Sequence, residues 1–568
     1  MNTKKLPHYP SREYSNLREL LEDVATRYPD RYAFSYRKHP NDLSAVRVSF
    51  PAFCADVRAL GTTLLARGLH GKKVALIGRL SYPWVCTFFS LLAIGAVVVP
   101  LDREWHADEL AKTALHADCS ALFCDVSLAE KANVVADALG LPSYFALTAP
   151  SPDPHESVDL LLALGYDKIR SGDNSYFTNR LKPLELSTLV FTSGTTGNGK
   201  GVMLSQNGLM ADLSAGLGQV QLSRKTIAVL PPHHTYGCNV GLVAHVAAGC
   251  EVYLSDGLRY IQRELRAEQP EHLTLVPLFV ETFYRRILTT ARDQGKDKLL
   301  RRMIKLSNTM RRIGIDARRS IFQSVLASFG GRLRLIVSGG APISREILDT
   351  FDAIGITVIN GYGITECSPL ISVTHQAAPV HGSVGKPLAC NHVRLREPNE
   401  AGEGEICVRG ANVMLGYYKD PAATEAAFDE DGYFRTGDSG KFDANGNLYI
   451  TGRLKNLIIL SNGKNVYPEE IEKEFQSLPG VLEIVVYEGV SRRGVEHNAI
   501  VAEIYPNHDY LEKNGISDPH AYFTRLIEAY NKTAVPYKKI GQLRLRREEF
   551  PKNTLRKILR FRIHKQID

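Results

Sequence analysis

The chain has 568 residues, a formal net charge of +8 and a hydrophobic fraction of 44%. That length exceeds one ordinary domain and allows a large apolar core, so disulfides and structural metals are not needed for stability. The nine cysteines include no C-x-x-C pair. Their pattern excludes a disulfide scaffold and predicts free thiols in a cytoplasmic protein.

The first fifteen residues contain charges and prolines and have none of the apolar core that a secretory signal requires. The longest apolar stretch covers residues 85–101 and is interrupted by Gly95 and Pro100. It falls short of a spanning length and predicts a buried helix ending near Gly95, followed by a strand over residues 96–99. The sequence therefore predicts no transmembrane segment.

The first two thirds of the chain alternate helical patterns with short apolar strands, which predicts mostly parallel α/β sheets. The predicted strands are residues 73–77, 96–99, 187–191, 226–230, 251–254, 273–276, 333–337 and 358–360. After residue 382, short alternating strands predict a small antiparallel unit, a barrel, with Asn445-Gly446 as a hairpin turn. The pattern restarts at residue 456, so a domain boundary is predicted between Gly452 and Leu457.

Residues 189–204, LVFTSGTTGNGKGVML, concentrate hydroxyls and glycines around one lysine. Glycines allow backbone N–H groups to approach a phosphate closely, and hydroxyls and lysine add donors and charge. The density of these residues indicates phosphate binding. Gly201 stands where a P-loop has its Mg²⁺-binding hydroxyl, and a strand follows where a P-loop opens a helix, which disfavours a P-loop NTPase.

Six further blocks follow in order: SGGAPIS from Ser338, NGYGITECSP from Asn360, GEGEICVRG from Gly402, GYFRTGD from Gly432, YITGRLKNLIILSNGKNVYPEEIE from Tyr449 and PKNTLRKILR from Pro551. With the loop, they resemble the AMP-forming acyl-adenylate superfamily of acyl-CoA synthetases, peptide-synthetase adenylation domains and luciferases. The resemblance covers most of the chain. It implies an α/β fold: a large N-terminal domain of two α/β sheets plus a small β-barrel (1–452), a hinge (453–457) and a smaller mobile α+β domain (458–568).

The resemblance also implies ATP, Mg²⁺ and coenzyme A. The glycines of the SGGAPIS block would let a flat purine lie against the backbone, Tyr362 would stack on adenine, and Asp438 would accept from the ribose hydroxyls. The nucleotide site is expected to comprise Thr192, Ser193, Gly194, Thr195, Thr196, Gly197, Lys200, Gly339, Gly340, Ala341, Asn360, Gly361, Tyr362, Gly363, Thr365, Asp438, Arg453 and Lys557.

Further roles follow from the same motifs. Lys557 matches the family's catalytic lysine, whose charge is needed where a carboxylate attacks the α-phosphate. The expected catalytic residues are Lys557, Thr192, Glu366 and His234, and Glu366 with Thr192 would bind Mg²⁺ through oxygen. Lys455 occupies the hinge position, around which the C-terminal domain would swing between half-reactions. The expected coenzyme A contacts are Gly463, Lys464 and Asn465.

The segment LPPHHTYGCNVG, residues 230–241, is interpreted as the acyl site. His234 matches a family position near the acyl group, and the segment has no aspartate of the kind that holds an α-amino group in peptide-synthetase domains. Tyr236, Gly237 and Gly241 are expected to contact the acyl chain. The small residues in this segment either form an apolar tunnel or pack tightly, and the sequence does not distinguish these two interpretations.

A long insert over residues 291–320 makes the pattern resemble long-chain fatty acyl-CoA synthetases. It has ten basic and three acidic residues between Arg292 and Arg319, nearly the whole net charge of the protein. Its apolar residues recur at helical spacing: Leu299, Leu300, Met303, Leu306, Met310 and Ile313. The insert is either a solvated helix packed on the domain or an amphipathic element that docks on anionic membrane. The solvated helix is the favoured interpretation.

The sequence thus predicts a medium- to long-chain fatty acid–CoA ligase with small-molecule substrates and no nucleic-acid partner. Two alternatives stay open: a fatty acyl-AMP ligase that loads an acyl carrier protein, and a membrane-associated protein that traps fatty acid. A luciferase-like oxygenase is disfavoured because nothing beyond the adenylation motifs points to oxygen chemistry.

Overall fold

The computed structural model of the protein describes residues 8–148, 156–192, 199–460, 465–476, 478–490, 499–554 and 556–566. Several predicted site residues lie outside the described residues: Ser193, Gly194, Thr195, Thr196, Gly197, Gly463 and Lys464.

The strands are β1 Tyr32–Tyr36, β2 Val46–Ser49, β3 Lys73–Ile77, β4 Val97–Leu101, β5 Ala121–Cys124, β6 Phe145–Ala146, β7 Leu186–Thr192, β8 Lys200–Ser205, β9 Lys225–Ala228, β10 Glu251–Leu254, β11 His272–Leu275, β12 Leu335–Gly339, β13 Thr357–Gly363, β14 Leu370–Val373, β15 Lys386–Pro387, β16 Asn391–Arg396, β17 Gly404–Gly410, β18 Gly416–Tyr417, β19 Phe434–Phe442, β20 Leu448–Arg453, β21 Ile458–Ile459, β22 Asn465–Val466, β23 Val481–Gly489, β24 Ala499–Pro506 and β25 Gln542–Leu545.

The α-helices are α1 Leu17–Arg27, α2 Phe50–Ala66, α3 Tyr82–Ala93, α4 Ala107–His116, α5 Ala129–Ala138, α6 Val158–Arg170, α7 Ser175–Thr178, α8 Gln206–Gln219, α9 Ala244–Ala247, α10 Ile261–Glu268, α11 Pro277–Asp293, α12 Asp297–Arg312, α13 Arg318–Ile321, α14 Gln323–Ala327, α15 Arg345–Ala353, α16 Pro421–Ala427, α17 Pro468–Phe475, α18 His508–Lys513 and α19 Pro519–Thr533. A π-helix, Tyr236–Val243, leads into α9.

The first sheet has seven strands in the order β18-β8-β7-β4-β3-β5-β6, and its central strands are parallel. Helices cover both faces, so successive residues of β3 enter different cores. Val74 and Leu76 pack with α2 and α3, whereas Ala75 and Ile77 pack with α4 and α5. This explains why the strand reads as a continuous apolar run.

Two further sheets have the orders β2-β1-β10-β9 and β11-β12-β13-β14-β15. The backbone N–H of Glu271 donates to the carbonyl of Lys225 at 2.9 Å, so β9 lies beside β11 and the two sheets continue one another. The strands β11, β12 and β13 are parallel and end at one edge. In open α/β sheets, ligands bind outside the carboxyl ends of such strands.

The unit for which the sequence predicts a barrel is a four-stranded antiparallel sheet, β16-β17-β19-β20. The hairpin prediction is confirmed: β19 and β20 pair, and Gly446 adopts a φ of +78° in the connecting turn. The stretch 85–101 is also confirmed as a helix and a strand, since α3 is buried almost throughout and Gly95, with a φ of +77°, separates it from β4.

Beyond Arg453, a 3₁₀ turn, Leu454–Asn456, leads to the last part of the chain. There β23-β24-β25 form a three-stranded sheet of mixed direction, and this part has an apolar cluster of its own with α17, α18 and α19. The division at the hinge stays a prediction. All nine cysteines are free thiols. In the part of the chain that the structure describes, no helix has the length and apolar character needed to cross a bilayer.

Candidate functional site

Three predicted residues from distant motifs meet at one point. The register of β19 and β20 places Asp438 opposite Arg453, with the Arg453 Nε 3.0 Å from Asp438 Oδ1. The hydroxyl of Tyr362, at the end of β13, donates to Asp438 Oδ2 at 2.8 Å. Asp438 is only 3% exposed, so these partners compensate the burial of its carboxylate. Burial and then the charge of Asp438 raise the pKa of Tyr362, which stays a neutral donor.

Lys557 joins this cluster from the C-terminal part of the chain. The charge of Arg453, and secondarily loss of water around the ammonium, lower the pKa of Lys557 to about 8, while Asp438 acts in the opposite direction. The residue itself remains exposed, so the neighbouring charge carries more of the shift than burial does. Two adjacent cations repel one another, and a bound anion would relieve that repulsion. This donor set fits a phosphate group.

The segment preceding Lys557 contacts the predicted acyl site. The hydroxyl of Thr554 lies 3.1 Å from His233 Nε2 and 3.2 Å from His234 Nε2. Burial lowers the pKa of both imidazoles to about 3, so they are neutral at physiological pH. A hydroxyl can donate to one neutral ring nitrogen and accept from the other. The contact therefore brings the segment that carries Lys557 against the turn that carries His234.

The two glycine-rich blocks lie side by side at the carboxyl ends of β12 and β13. Their register pairs Ser338 with Asn360 and Gly339 with Gly361. Gly340 follows with a φ of +92°, and Ala341 and Thr365 lie in the connections beyond the two strands. At Gly363 a Cβ would stand 2.0 Å from the Pro369 carbonyl, so only glycine allows this approach of the two backbones.

Three predicted acyl residues, Tyr236, Gly237 and Gly241, lie on the π-helix, a rare conformation that often occurs at functional sites, and His234 lies in the turn before it. The Tyr236 hydroxyl is 3.1 Å from the carbonyls of Leu275 and Val337, and the ring lies against Gly339. Tyr236 thus joins the π-helix to the ends of β11 and β12. Gly237 and Gly241, on the same π-helix, line a narrow cavity.

Glu366 and Lys200 are joined by a residue that the sequence analysis missed. The Tyr417 hydroxyl donates to Glu366 Oε1 at 2.9 Å, and Lys200 Nζ lies 4.4 Å from the centre of the Tyr417 ring. Tyr417 is on β18, which pairs with β8 next to Lys200. Thr192, at the end of β7, donates through its hydroxyl to the Lys200 carbonyl at 3.4 Å.

The predicted hinge residue and the predicted coenzyme A contacts have no described contact with the residues above. Lys455 is exposed in the 3₁₀ turn and lines a cavity together with Arg560 and Lys565. Asn465 opens β22, and its neighbours Gly463 and Lys464 lie outside the described residues. Their roles stay predictions.

Comparison with known proteins decides the family. Residues 21–418 match the family of AMP-binding enzymes. The chain is 31% identical to long-chain-fatty-acid–CoA ligase 1 of Cavia porcellus over 82% of this chain and 69% of that protein. It is 28% identical to long-chain-fatty-acid–CoA ligase FadD15 of Mycobacterium bovis over 76% and 74% of the respective chains.

The chain belongs to the family of AMP-binding enzymes.

Solved structures show the same fold. The ATP-bound RpMatB-BxBclM chimera B1 superposes with a TM-score of 0.75 at 24% identity, covering 96% of this chain and 97% of that one. The o-succinylbenzoate CoA synthetase MenE of Bacillus subtilis, in complex with its acyl-adenylate intermediate, superposes with a TM-score of 0.71 at 20% identity, covering 96% and 99%.

An AMP-binding enzyme of this kind needs Mg²⁺, and Glu366 fits the ion. No group of three or more acidic, histidine or cysteine side chains that could hold a metal occurs among the described residues. Mg²⁺ is commonly held by one or two carboxylates together with substrate phosphates and water. Tyr417 engages Oε1 of Glu366, which leaves Oε2 for the ion.

Replacing Tyr417 with Phe should raise the Mg²⁺ concentration needed for half-maximal activity several-fold while changing the KM for ATP less. The hydroxyl that orients Glu366 is lost, but the ring face under Lys200 remains. Replacing Tyr417 with Leu removes both contacts and should raise the Mg²⁺ requirement and the KM together. Mg²⁺ and ATP titrations of both variants provide the measurement, and equal behaviour of the two would contradict this role.

Proposed function

We propose that this AMP-binding enzyme uses ATP to convert a medium- to long-chain fatty acid into an acyl-adenylate and then into a thioester of coenzyme A. The observation that carries the proposal is the meeting of Asp438, Arg453 and Lys557. Thr554, three residues before Lys557, contacts the predicted acyl residue His234. The names of the relatives, which are long-chain-fatty-acid–CoA ligases, support the fatty acid as the substrate class.

In the first half-reaction a carboxylate oxygen of the acid attacks the α-phosphorus of ATP, and the bond to the departing pyrophosphate breaks. Lys557 and Arg453 would stabilise the negative charge that gathers on the α-phosphate. Glu366 would hold Mg²⁺, which neutralises phosphate charge. Asp438, fixed by Tyr362 and Arg453, would accept hydrogen bonds from the ribose.

In the second half-reaction the thiol sulfur attacks the acyl carbonyl carbon, its proton passes to solvent, and AMP leaves. Thr554 lies against His233 and His234, and we expect it to withdraw together with Lys557 before the thiol approaches the acyl carbonyl. A rotation of the last part of the chain about Lys455 would withdraw them. The predicted coenzyme A contacts, Gly463 to Asn465, would then face the acyl-adenylate.

The experiment is an assay of thioester formation over saturated acids from octanoate to palmitate, with coenzyme A and with an acyl carrier protein as alternative acceptors. ATP-dependent formation of acyl-CoA, with AMP and pyrophosphate as products, is expected. Acyl-adenylate that transfers only to the carrier protein would instead support the fatty acyl-AMP ligase. Fatty-acid binding without AMP release would support the trapping protein.

A second proposal is that α12 contacts an anionic membrane surface. One face of the helix packs on the domain, where Leu300 is buried and the Ser307 hydroxyl donates to the Ala353 carbonyl at 3.0 Å. Next to that face runs an exposed apolar stripe of Leu299, Leu306 and Ile313, the last of them 71% exposed. The stripe is flanked by exposed Lys298, Arg302 and Lys305. Such an arrangement is typical of helices that lie at a membrane surface.

Replacing Lys298, Arg302 and Lys305 together with Gln should weaken binding to anionic liposomes by roughly a hundredfold. The expected scale is about 1 kcal/mol for each basic residue near such a surface, and about 1.4 kcal/mol corresponds to a factor of ten. Co-sedimentation at low salt measures the effect. Binding should also fade as salt rises, because exposed charges are screened beyond about 8 Å at physiological ionic strength.

A matched control removes the same charge elsewhere, by replacing exposed Arg525, Lys532 and Lys539 with Gln. That variant should bind liposomes like the wild type. Arg311 is left unchanged in both variants because it pairs with Asp352 of α15 and holds the helix to the domain. Equal loss in the two variants, or wild-type protein that ignores anionic liposomes at low salt, would rule the membrane contact out.

A further inference from the structure

The narrow cavity beside the π-helix, here called the inner cavity, lies next to the predicted acyl site. Leu230 and Gly237, which flank the turn that bears His234, both line it. Its remaining lining comes from β9 and the residues after it, the π-helix, α9, β11 and Leu80: Leu80, Thr226, Ile227, Ala228, Val229, Gly241, Leu242, His245 and Thr274. The inner cavity therefore adjoins the segment that is expected to bind the acyl chain.

The inner cavity carries polar atoms where a fatty acyl pocket is expected to be apolar. His245 is 1% exposed and Thr274 is 5% exposed, yet His245 Nε2 and Thr274 Oγ1 have no hydrogen-bond partner among the described residues. His272 stacks on His245 with ring centroids 5.0 Å apart, and both of its nitrogens are also without a partner in the described structure. His272 and Thr274 are two residues apart on β11 and therefore share a face of the strand.

The tautomer of His245 follows from the hydrogen bond that its ring makes within the described structure. Its Nδ1 lies 2.9 Å from the Val240 carbonyl, which can only accept a hydrogen bond, so Nδ1 carries the proton. Burial lowers the pKa of His245 to about 4, so the ring is neutral. Its Nε2 is then a pure acceptor. The nearby Thr274 hydroxyl can both donate and accept.

A hydroxyl group matches this pair of atoms. It can donate to His245 Nε2 and accept from the Thr274 hydroxyl at the same time. A ketone oxygen cannot donate, and a methylene leaves both polar atoms unsatisfied, which is unfavourable for buried groups. A site built to bond a substrate hydroxyl rejects the analogue that lacks it more strongly than an apolar pocket rejects a missing methylene.

We propose that the inner cavity receives a hydroxyl group carried on the acyl chain, so that the preferred substrates are hydroxylated fatty acids rather than plain ones. The proposal deepens the proposed function and rests on it. His245 and Thr274 are the specificity-determining residues, and His272 supports His245 by stacking.

The test compares kcat/KM for acyl-CoA formation between plain acids, from octanoate to tetradecanoate, and the same acids bearing one hydroxyl at successive distal carbons. At each productive length one hydroxylated isomer should exceed the plain acid by about tenfold or more, which corresponds to one satisfied hydrogen bond of about 1.4 kcal/mol. The isomers whose hydroxyl stands one carbon to either side should lose most of that advantage, because the two polar atoms have fixed positions.

Thr274→Val keeps the shape of the side chain and removes its hydroxyl. It should lower the ratio of the hydroxylated to the plain kcat/KM about tenfold. Thr226→Val is the matched control: Thr226 also lines the inner cavity, but its hydroxyl already donates to the His272 carbonyl at 3.0 Å. In that variant the ratio of the hydroxylated to the plain kcat/KM should equal the wild-type ratio, even if the overall rate changes.

Acyl-CoA formation with no preference for any hydroxylated isomer would overturn the inference and mean that these atoms bond ordered water; the proposed function would stand. A preference that survives Thr274→Val unchanged would also overturn it. Failure to form acyl-CoA from any acid would overturn the proposed function itself. The comparison of hydroxylated with plain acids in the wild-type enzyme tests the proposal even if a variant does not fold.

Discussion

Replacing Lys557 with Ala is expected to slow acyl-adenylate formation by about 10²–10³-fold, the usual cost of removing one group that stabilises transition-state charge. Thioester formation from supplied acyl-adenylate should be largely spared, because Lys557 would act only at the α-phosphate and is expected to be withdrawn in the second half-reaction. Pyrophosphate release measures the first half-reaction. Acyl-CoA formation from synthetic acyl-adenylate measures the second.

The matched control is Arg556→Asn, which removes the neighbouring exposed charge. Arg556 has a φ of +59°, a conformation that asparagine tolerates, and its side chain makes none of the cluster contacts described above. Both half-reactions should proceed in that variant. If Lys557→Ala slows both half-reactions equally, the assignment of Lys557 to adenylation is wrong.

The lowered pKa of Lys557 adds a pH signature to the same prediction. An ordinary lysine loses its charge near pH 10.4, but Lys557, with a pKa of about 8, loses it as the pH rises through that value. Adenylation measured as kcat/KM for ATP, which reports the free enzyme, should therefore fall above about pH 8. In Lys557→Ala this fall should disappear from the residual activity.

Replacing Lys455 with Pro should have the opposite effect on the two half-reactions. Proline fixes φ and also restricts the preceding residue, so the rotation expected at the 3₁₀ turn would be blocked. Adenylation should continue, because we expect the contact of Thr554 with His233 and His234 to belong to the arrangement before rotation. Thioester formation from supplied acyl-adenylate should fall on the order of 10²-fold, as expected when reacting groups are held out of position.

Lys455→Ala is the control for this variant. The Lys455 side chain is exposed, and alanine leaves the backbone free to rotate, so both half-reactions should be retained. A Lys455→Pro enzyme that makes acyl-CoA from acyl-adenylate at the wild-type rate would place the hinge elsewhere. Loss of adenylation in the same variant would mean that the substitution disturbs the fold and not the rotation.

The sequence alone predicted a phosphate-binding loop over residues 189–204, because the chemistry of that motif is local, whereas the adenine, ribose and metal roles were expected from the resemblance to the acyl-adenylate superfamily. The glycines, hydroxyls and charges stand within a few residues of one another, and their types report what they can bind. The alternation of helical and apolar segments likewise predicted the parallel sheets, since β3 and β4 are covered on both faces and must be apolar throughout. The family and the fold follow from these features.

The tertiary structure decided how the motifs cooperate. Tyr417 had no signal in the sequence: it becomes visible only because β18 pairs with β8, over two hundred residues earlier in the chain, and so stands between Glu366 and Lys200. Thr554 reaches His233 and His234 across more than three hundred residues. Side-chain periodicity describes one element at a time and cannot report such contacts.

The inner cavity is another feature that only the tertiary structure reveals. Gly237 and Gly241 are small, and small residues are equally consistent with tight packing and with a tunnel, so the sequence left both readings open. His245 and His272 belong to different segments, and the sequence analysis assigned no role to either. The packing of the π-helix against β9 and β11 brings an acceptor nitrogen and a hydroxyl to one cavity, and neither has a hydrogen-bond partner among the described residues. A polar atom becomes costly only when the fold has removed it from water without supplying a partner.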